Sequence, residues 1–364
     1  MTSIASISQS FLLLMALSSV ACVKSGEVQP NYTIVKTEVN EVQRAAGLLL
    51  AQSNRLLDED FTGTSAERSA WEEARERREW ENVLFLPHLK TLNEVQAQAI
   101  AENASWVYLN GLTSLSPEVA QKMFSKGYTY TYVSLNGLEE ISPEIAGHMS
   151  NVSRHVLPGS SLVLNGLKEL TPEVAQNLMG EEGGGHVYLG GVTSISDEVV
   201  QSISRVQPNI RKRVVRFHMP NLQLTSAMAK SLPSTTFSSV IEKEEVLSDE
   251  LVDMISQSTL RYIQLDNIKD IHPTQLSAIL HQERESISLD GITKLQKGVA
   301  KELARVSPGS VSLDGVQTLS DEDIEVFMHS DIVELSLKGL NQKEYRKLSK
   351  AFHKSDKYIS FKGE

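Results

Sequence analysis

Val107-Tyr-Leu109-Asn-Gly111-Leu112-Thr-Ser-Leu115-Ser-Pro-Glu-Val119-Ala120 is the stretch on which the reading of this chain turns. It returns as Val133-Ser-Leu135-Asn-Gly137-Leu138-Glu-Glu-Ile141-Ser-Pro-Glu-Ile145-Ala146, and in part as Ile287-Ser-Leu289-Asp-Gly291-Ile292-Thr-Lys-Leu295. In all, the phrase recurs eleven times. A repeat of this length cannot bury its own apolar face, so its copies must stack and share a core.

The central apolar residue of each copy sets the phase. These anchors are Leu86, Leu109, Leu135, Leu164, Leu189, Phe217, Ile241, Leu265, Leu289, Leu313 and Leu337, with Phe361 in the same phase. Subtracting neighbours gives steps of 23, 26, 29, 25 and 28, then six of 24. Two residues earlier stands a second apolar column: Leu84, Val107, Val133, Leu162, Val187, Val215, Ile263, Ile287, Val311, Leu335 and Ile359, broken at Ser239. An apolar pair at period two is a short strand with one buried face.

After the strand, Asn-Gly or Asp-Gly at Gly111, Gly137, Gly166, Gly291 and Gly315 predicts a corner in which glycine supplies a positive φ. Helix starts follow at Ser116-Pro-Glu, Ser142-Pro-Glu and Thr171-Pro-Glu, with Ser-Asp-Glu forms at Ser196, Ser248 and Ser320. The hydroxyl caps free N–H groups, proline suits the first helical position, and the acid complements the dipole. Each copy therefore reads as strand, corner, short helix and return loop. Side by side, twelve such strands make one sheet about 50 Å across.

These residues resemble the leucine-rich repeat family over Val83 to Phe361, with L-[ND]-G-L where that family carries its asparagine phrase. Phrases such as Val192-Thr-Ser-Ile195-Ser-Asp-Glu look like the irregular bacterial subclass with BspA-like surface repeats. The resemblance implies an α/β solenoid, a leucine-rich-repeat-like stack of eleven to twelve strand–short-helix repeats with an N-terminal helical cap. It also implies a role chiefly in protein recognition.

With 364 residues, a net charge of −11 and a pI near 5.4, the chain disfavours a nucleic-acid partner. Residues 1–22 read as an export signal, with Phe11-Leu-Leu-Leu-Met-Ala-Leu17 as its apolar core. Cys22 is the only cysteine, so no disulfide closes within the chain, and its setting resembles the lipidation site of bacterial lipoproteins. A lipid anchor at Cys22 would tie the protein to a membrane; simple secretion is the alternative. Residues 23–33 form a polar tether, residues 34–82 a helical cap, and residues 83–364 the repeats. Within the cap, helical patterns cover Ile34–Leu57 and Ala66–Leu84, with Trp71 and Trp80 expected to pack inward; a partner-binding helix pair is the alternative. The final strand at Ile359 has no helix after it. Its edge is either shielded by Lys354, Lys357 and Lys362 or used for end-to-end assembly.

The outward columns of the strands carry the candidate site. Just before the anchors they read Phe85, Tyr108, Ser134, Val163, Tyr188, Arg216, Val240 and Gln264, and then serines. Exposed aromatic side chains on a rigid sheet are common anchors for partners. Trp106, Tyr108, Tyr132 and Tyr188 are therefore the candidate contact patch; the alternative is that these rings support one another or the N-terminal helices.

No catalytic constellation is present in the sequence: there is no G-x-S-x-G, no H-E-x-x-H and no Cys–His couple. The glycine cluster Gly180–Gly185 reads as a return loop and lacks the lysine of a phosphate loop. The column Asn110, Asn136, Asn165, Asp266, Asp290 and Asp314 reads as corner residues bonding local N–H groups, in preference to a calcium site. The expectation is a non-catalytic envelope or secreted scaffold, without metal or cofactor, that binds a protein or glycan through its sheet. The alternative is an accessory subunit recruiting substrate to an envelope enzyme.

Overall fold

The computed structural model describes residues 40–58, 65–77, 82–125, 130–153, 160–180, 185–204, 215–280, 284–341, 343–344, 346 and 358–360. The export signal, Cys22, the tether and Trp80 lie outside the described residues. The first described elements are helices α1 (Glu41–Asp58) and α2 (Ser65–Arg77). The helical reading of Ala66–Leu84 therefore overshoots, because Val83 already begins a strand.

The first half then alternates β1 (Val83–Phe85), α3 (Glu94–Asn103), β2 (Trp106–Tyr108), α4 (Pro117–Phe124), β3 (Tyr132–Ser134), α5 (Pro143–Ser153), β4 (Ser161–Val163), α6 (Pro172–Met179), β5 (His186–Tyr188), α7 (Asp197–Ser204) and β6 (Arg216–His218). Next come three helices without a strand between them: α8 (Ser226–Ala229), α9 (Ser234–Ile241) and α10 (Asp249–Gln257). The alternation resumes with β7 (Tyr262–Gln264), α11 (Pro273–Ile279), β8 (Ser286–Ser288), α12 (Val299–Val306), β9 (Ser310–Ser312), α13 (Asp321–Met328), β10 (Glu334–Ser336) and β11 (Tyr358–Ser360).

This is an α/β repeat stack built on parallel strands. β1 to β6 form a six-stranded sheet in sequence order, and β7 to β11 form a five-stranded one. The middle residue of each strand faces inward: Val107, Val133, Val187, Ile287 and Val311 are each 0 or 1% exposed. One core cluster runs without a break from Ala46 to Leu337. The helix caps follow the residue pattern, with Ser116, Thr171 and Ser248 accepting from the N–H three residues on.

Three expectations are corrected. The copy anchored at Ile241 is not a strand: Ser239, Val240 and Ile241 lie in α9, so the expected single sheet is two. Phe217 is not an anchor either. It pairs with Val187, which puts it in the inner strand column and gives the anchor position to Met219. A two-residue slip leaves every side chain on the same face, so apolar alternation alone does not detect it. The register is settled by the corner, where the Leu222 amide bonds Met219 O at 3.1 Å, as Leu112 bonds Leu109 O.

The third correction concerns glycine. Among the described residues the positive-φ glycines are Gly180 and Gly298, neither of them at a corner. Corner glycines serve close approach instead: a Cβ at Gly315 would lie 2.0 Å from the Asp290 carbonyl oxygen, and one at Gly166 2.0 Å from that of Asn136. Successive corners stack backbone on backbone.

Helices close both edges of the first sheet. On the β1 side, the buried Ser53 hydroxyl of α1 accepts from Phe85 N–H at 2.8 Å. On the β6 side, Ser239 accepts from Met219 N–H at 3.0 Å and Thr236 donates to Phe217 O at 3.1 Å. These hydroxyls replace the partners that a further strand would supply. In the second half, buried Arg284 donates to the carbonyls of Ile255 at 2.9 Å, Ser258 at 3.2 Å, Ile279 at 3.3 Å and Leu260. A cation there complements the C-terminal end of α10.

Candidate binding face

The outer face of each sheet is formed by the first and third residues of its strands. Across β1 to β6 the first-residue column is Val83, Trp106, Tyr132, Ser161, His186 and Arg216, and the third is Phe85, Tyr108, Ser134, Val163, Tyr188 and His218. Strand spacing of about 4.8 Å brings rings in neighbouring strands into stacking range. Trp106 and Tyr132 stack at 4.8 Å between centroids with an interplanar angle of 8°. Tyr188 and His218 stack at 4.5 Å, and His186 and His218 at 5.0 Å.

The four proposed contact rings do not share one exposed patch. Trp106 is 6% exposed and Tyr108 0%, because Trp71 and Ala74 of α2, with Leu57 at the end of α1, pack against Val83, Phe85, Trp106 and Tyr108. The Tyr108 hydroxyl donates to Glu73 at 3.1 Å, and the Arg77 guanidinium sits 4.3 Å above the Trp106 ring. Burial, and then the Glu73 charge, pushes the Tyr108 phenol far up. The exposed-anchor reading is thus corrected for Trp106 and Tyr108: the chain's own helix covers them. Tyr132, at the margin of α2, and Tyr188 remain half-buried. Burial followed by Glu73 raises the Tyr132 phenol to about 12.

His218 is the residue that the sequence reading missed. With Phe217 taken as the anchor, Arg216 filled its column; the true register puts His218 beside Tyr188. His186 Nδ1 and His218 Nε2 are 2.7 Å apart, so one ring donates and the other accepts, the roles being set by the tautomers. Burial, then the neighbouring imidazole, then Arg216 lower the His218 pKa to about 4. Burial, then Arg216, lower that of His186. Arg216 is exposed and has no ion-pair partner among the described residues.

The second sheet offers a different face, with Tyr262 and Gln264 followed by Ser286, Ser288, Ser310, Ser312, Glu334 and Ser336. Behind these serines runs the Asn/Asp column, which bonds forward to the next repeat and not to its own corner. Asn110 Oδ1 accepts from Ser134 Oγ at 2.7 Å and Asn136 N–H at 3.1 Å. Asp290 Oδ1 accepts from Ser312 Oγ at 2.6 Å and Asp314 N–H at 2.8 Å. Each carboxylate is engaged by the next repeat, and no group of three or more His, Cys, Asp or Glu able to hold a metal occurs among the described residues.

In the second half, a cleft beside the starts of α12 and α13 is lined by Lys294, Lys297, Lys301, Asp270, Glu322 and Asp323. Within it Lys301 pairs with Glu322 at 2.6 Å, and the Gln296 amide donates to the Asp270 carboxylate at 2.5 Å. No described helix is long and apolar enough to cross a membrane.

No family model matches the sequence, and no curated protein does. Among solved structures, a chain from the "Crystal structure of Rad7 and Elc1 complex in yeast" aligns with a TM-score of 0.32 and 11% identity, covering 100% of this chain and 98% of that one. A likeness at that level carries no argument, so the properties of this face rest on its own residues.

Proposed function

We propose that the chain is a non-catalytic interaction scaffold, a leucine-rich-repeat-like solenoid that binds a protein partner through the outer face of its sheets. The observation that supports this most is intramolecular: α2 already docks on β1 to β3 of that face, burying Trp71 and Ala74. From β4 onward the same face carries no described helix. A surface that holds one amphipathic helix in cis offers the same chemistry, aromatic and rigid, to a segment in trans. The stacked rings favour protein over glycan, because the ring faces a sugar would cover are turned toward one another.

A lipid anchor at Cys22 would place this face at a bacterial cell envelope, supported by the apolar run Phe11–Leu17 before it. Labelling with an alkyne fatty acid tests this; Cys22→Ser should lose the label.

Site-specific photocrosslinking in cells tests the binding reading. A crosslinker at Gln264 or His218 should give discrete protein adducts, whereas one at Glu173 or Lys301 on the helix side should not. Equal labelling from both sides would sink the reading.

A further inference from the structure

The first sheet ends at β6, and α9 runs where a further strand would lie. Beside the start of β6 is a cleft of about 610 Å³, walled by Arg216 and Phe217 of β6, Lys230 ahead of α9, Ser234 and Thr235 in the first turn of α9, and Thr259 ahead of β7. Arg216 and Lys230 are exposed and have no ion-pair partner among the described residues. No Asp or Glu is among the described residues that line the cleft. From Val199 to Ile241 the sequence holds six Lys or Arg and no Asp or Glu, in a chain whose net charge is −11. The cleft is thus a positive site in an acidic protein, and its field selects an anion. The Ser234, Thr235 and Thr259 hydroxyls make no hydrogen bond among the described residues, whereas that of neighbouring Thr236 is spent on the Phe217 carbonyl.

We propose that this cleft binds a small organic phosphate monoester, with the phosphate held by Arg216 and Lys230 and hydrogen-bonded by Ser234, Thr235 and Thr259. Two cations and three hydroxyl donors exceed what the two oxygens of a carboxylate use, and they match the three terminal oxygens of a phosphate dianion. The guanidinium supplies a two-pronged contact and the ammonium a point charge. A volume of about 610 Å³ lies within the ~300–1,000 Å³ of small-ligand sites, so the phosphate brings an organic group with it. Val215, Leu232 and Pro233 line the rest of the cleft and suit an apolar group. A long polyanion is a poorer guest, because the acidic remainder of the chain repels it. The site does not depend on a protein partner at the sheet faces.

The test is isothermal titration calorimetry on the full chain with phenyl phosphate, inorganic phosphate and benzoate, at constant ionic strength and about pH 7.5, where the monoester is a dianion. Phenyl phosphate should bind with a Kd of about 0.1 mM, and the other two at least about ten-fold more weakly. Arg216→Gln and Lys230→Gln should each weaken phenyl phosphate about ten-fold. Both side chains are exposed, so the melting temperature should move by less than about 2 °C. Lys297→Gln, in the other cleft, should leave the affinity unchanged.

No heat from phenyl phosphate up to about 10 mM overturns the proposal. So does benzoate or inorganic phosphate binding as tightly as phenyl phosphate, or full affinity in the Arg216→Gln, Lys230→Gln double variant. A loss in Lys297→Gln equal to that in Lys230→Gln also overturns it, since net charge and not this cleft would then govern binding. Crosslinks from Gln264 that persist while the phosphate probes fail remove the cleft and leave the sheet-face reading standing; the reverse pattern removes the sheet-face reading alone.

Discussion

The Ser239 hydroxyl accepts the Met219 amide at 3.0 Å, in the position where Leu109, Leu135, Leu164 and Leu189 each send that N–H to a carbonyl of the next strand. A helix thus ends the first sheet with a side chain doing the hydrogen bonding of a strand. The break between the sheets is consequently a sealed edge and not a weak point.

Ser239→Ala should leave the Met219 amide buried without a partner and cost about 1–3 kcal/mol. Thr236→Val should cost a similar amount at the Phe217 carbonyl. Urea unfolding measures both; a change below about 0.5 kcal/mol in each would mean that water replaces these hydroxyls.

Gly315→Ala places a methyl 2.0 Å from the Asp290 carbonyl oxygen, whereas Gly309→Ala meets its nearest atom, Glu285 O, at 3.2 Å. Gly315→Ala should therefore destabilise by about 1–3 kcal/mol and Gly309→Ala by clearly less. A cost for Gly315→Ala no larger than that for Gly309→Ala would contradict close approach as the reason for glycine at the corner.

Trp71→Ala should cost about 3–5 kcal/mol, the range for deleting a buried large aromatic ring. It should also loosen α2 and uncover Trp106 and Tyr108. Hydrogen exchange followed by mass spectrometry should then show faster exchange in α2 and β2 and unchanged exchange in β8 to β10. Uniform acceleration along the chain would contradict an α2-specific effect.

The histidine pair makes stability fall on mild acidification. His218 titrates near 4 in the folded state against about 6.5 unfolded. The unfolded chain therefore takes up the proton first as pH drops. The stability from the neutral pair is complete above about pH 6.5, is lost as pH falls toward 4, and changes no further below that. Because the ring is half exposed, the loss is on the order of 1 kcal/mol. His218→Gln should flatten this part of the stability–pH curve, and an unaltered curve would assign the slope to other groups.

The repeat, its strands and its helix caps were legible in the residues because each is a local matter: period-two apolar pairs, Ser-Pro-Glu starts, Asn-Gly corners. Ser239, the lone polar residue in its column, marked the copy that is a helix, although the column was still read as a strand. The alignment of Phe217 failed because shifts of two residues preserve the face. Trp106 and Tyr108 were read as exposed because alternation tells which face of a sheet a residue occupies, not what covers that face.

By itself, the sequence determined the unit and its stacking, since a repeat of some two dozen residues has too little apolar surface to fold alone. Only the tertiary structure decided which sheet face stays open, where the sheet divides, and why glycine holds the corners. Those depend on contacts between residues far apart in the chain, α2 on β1 to β3, α9 on β6, one corner on the next, and no local pattern of residues encodes them.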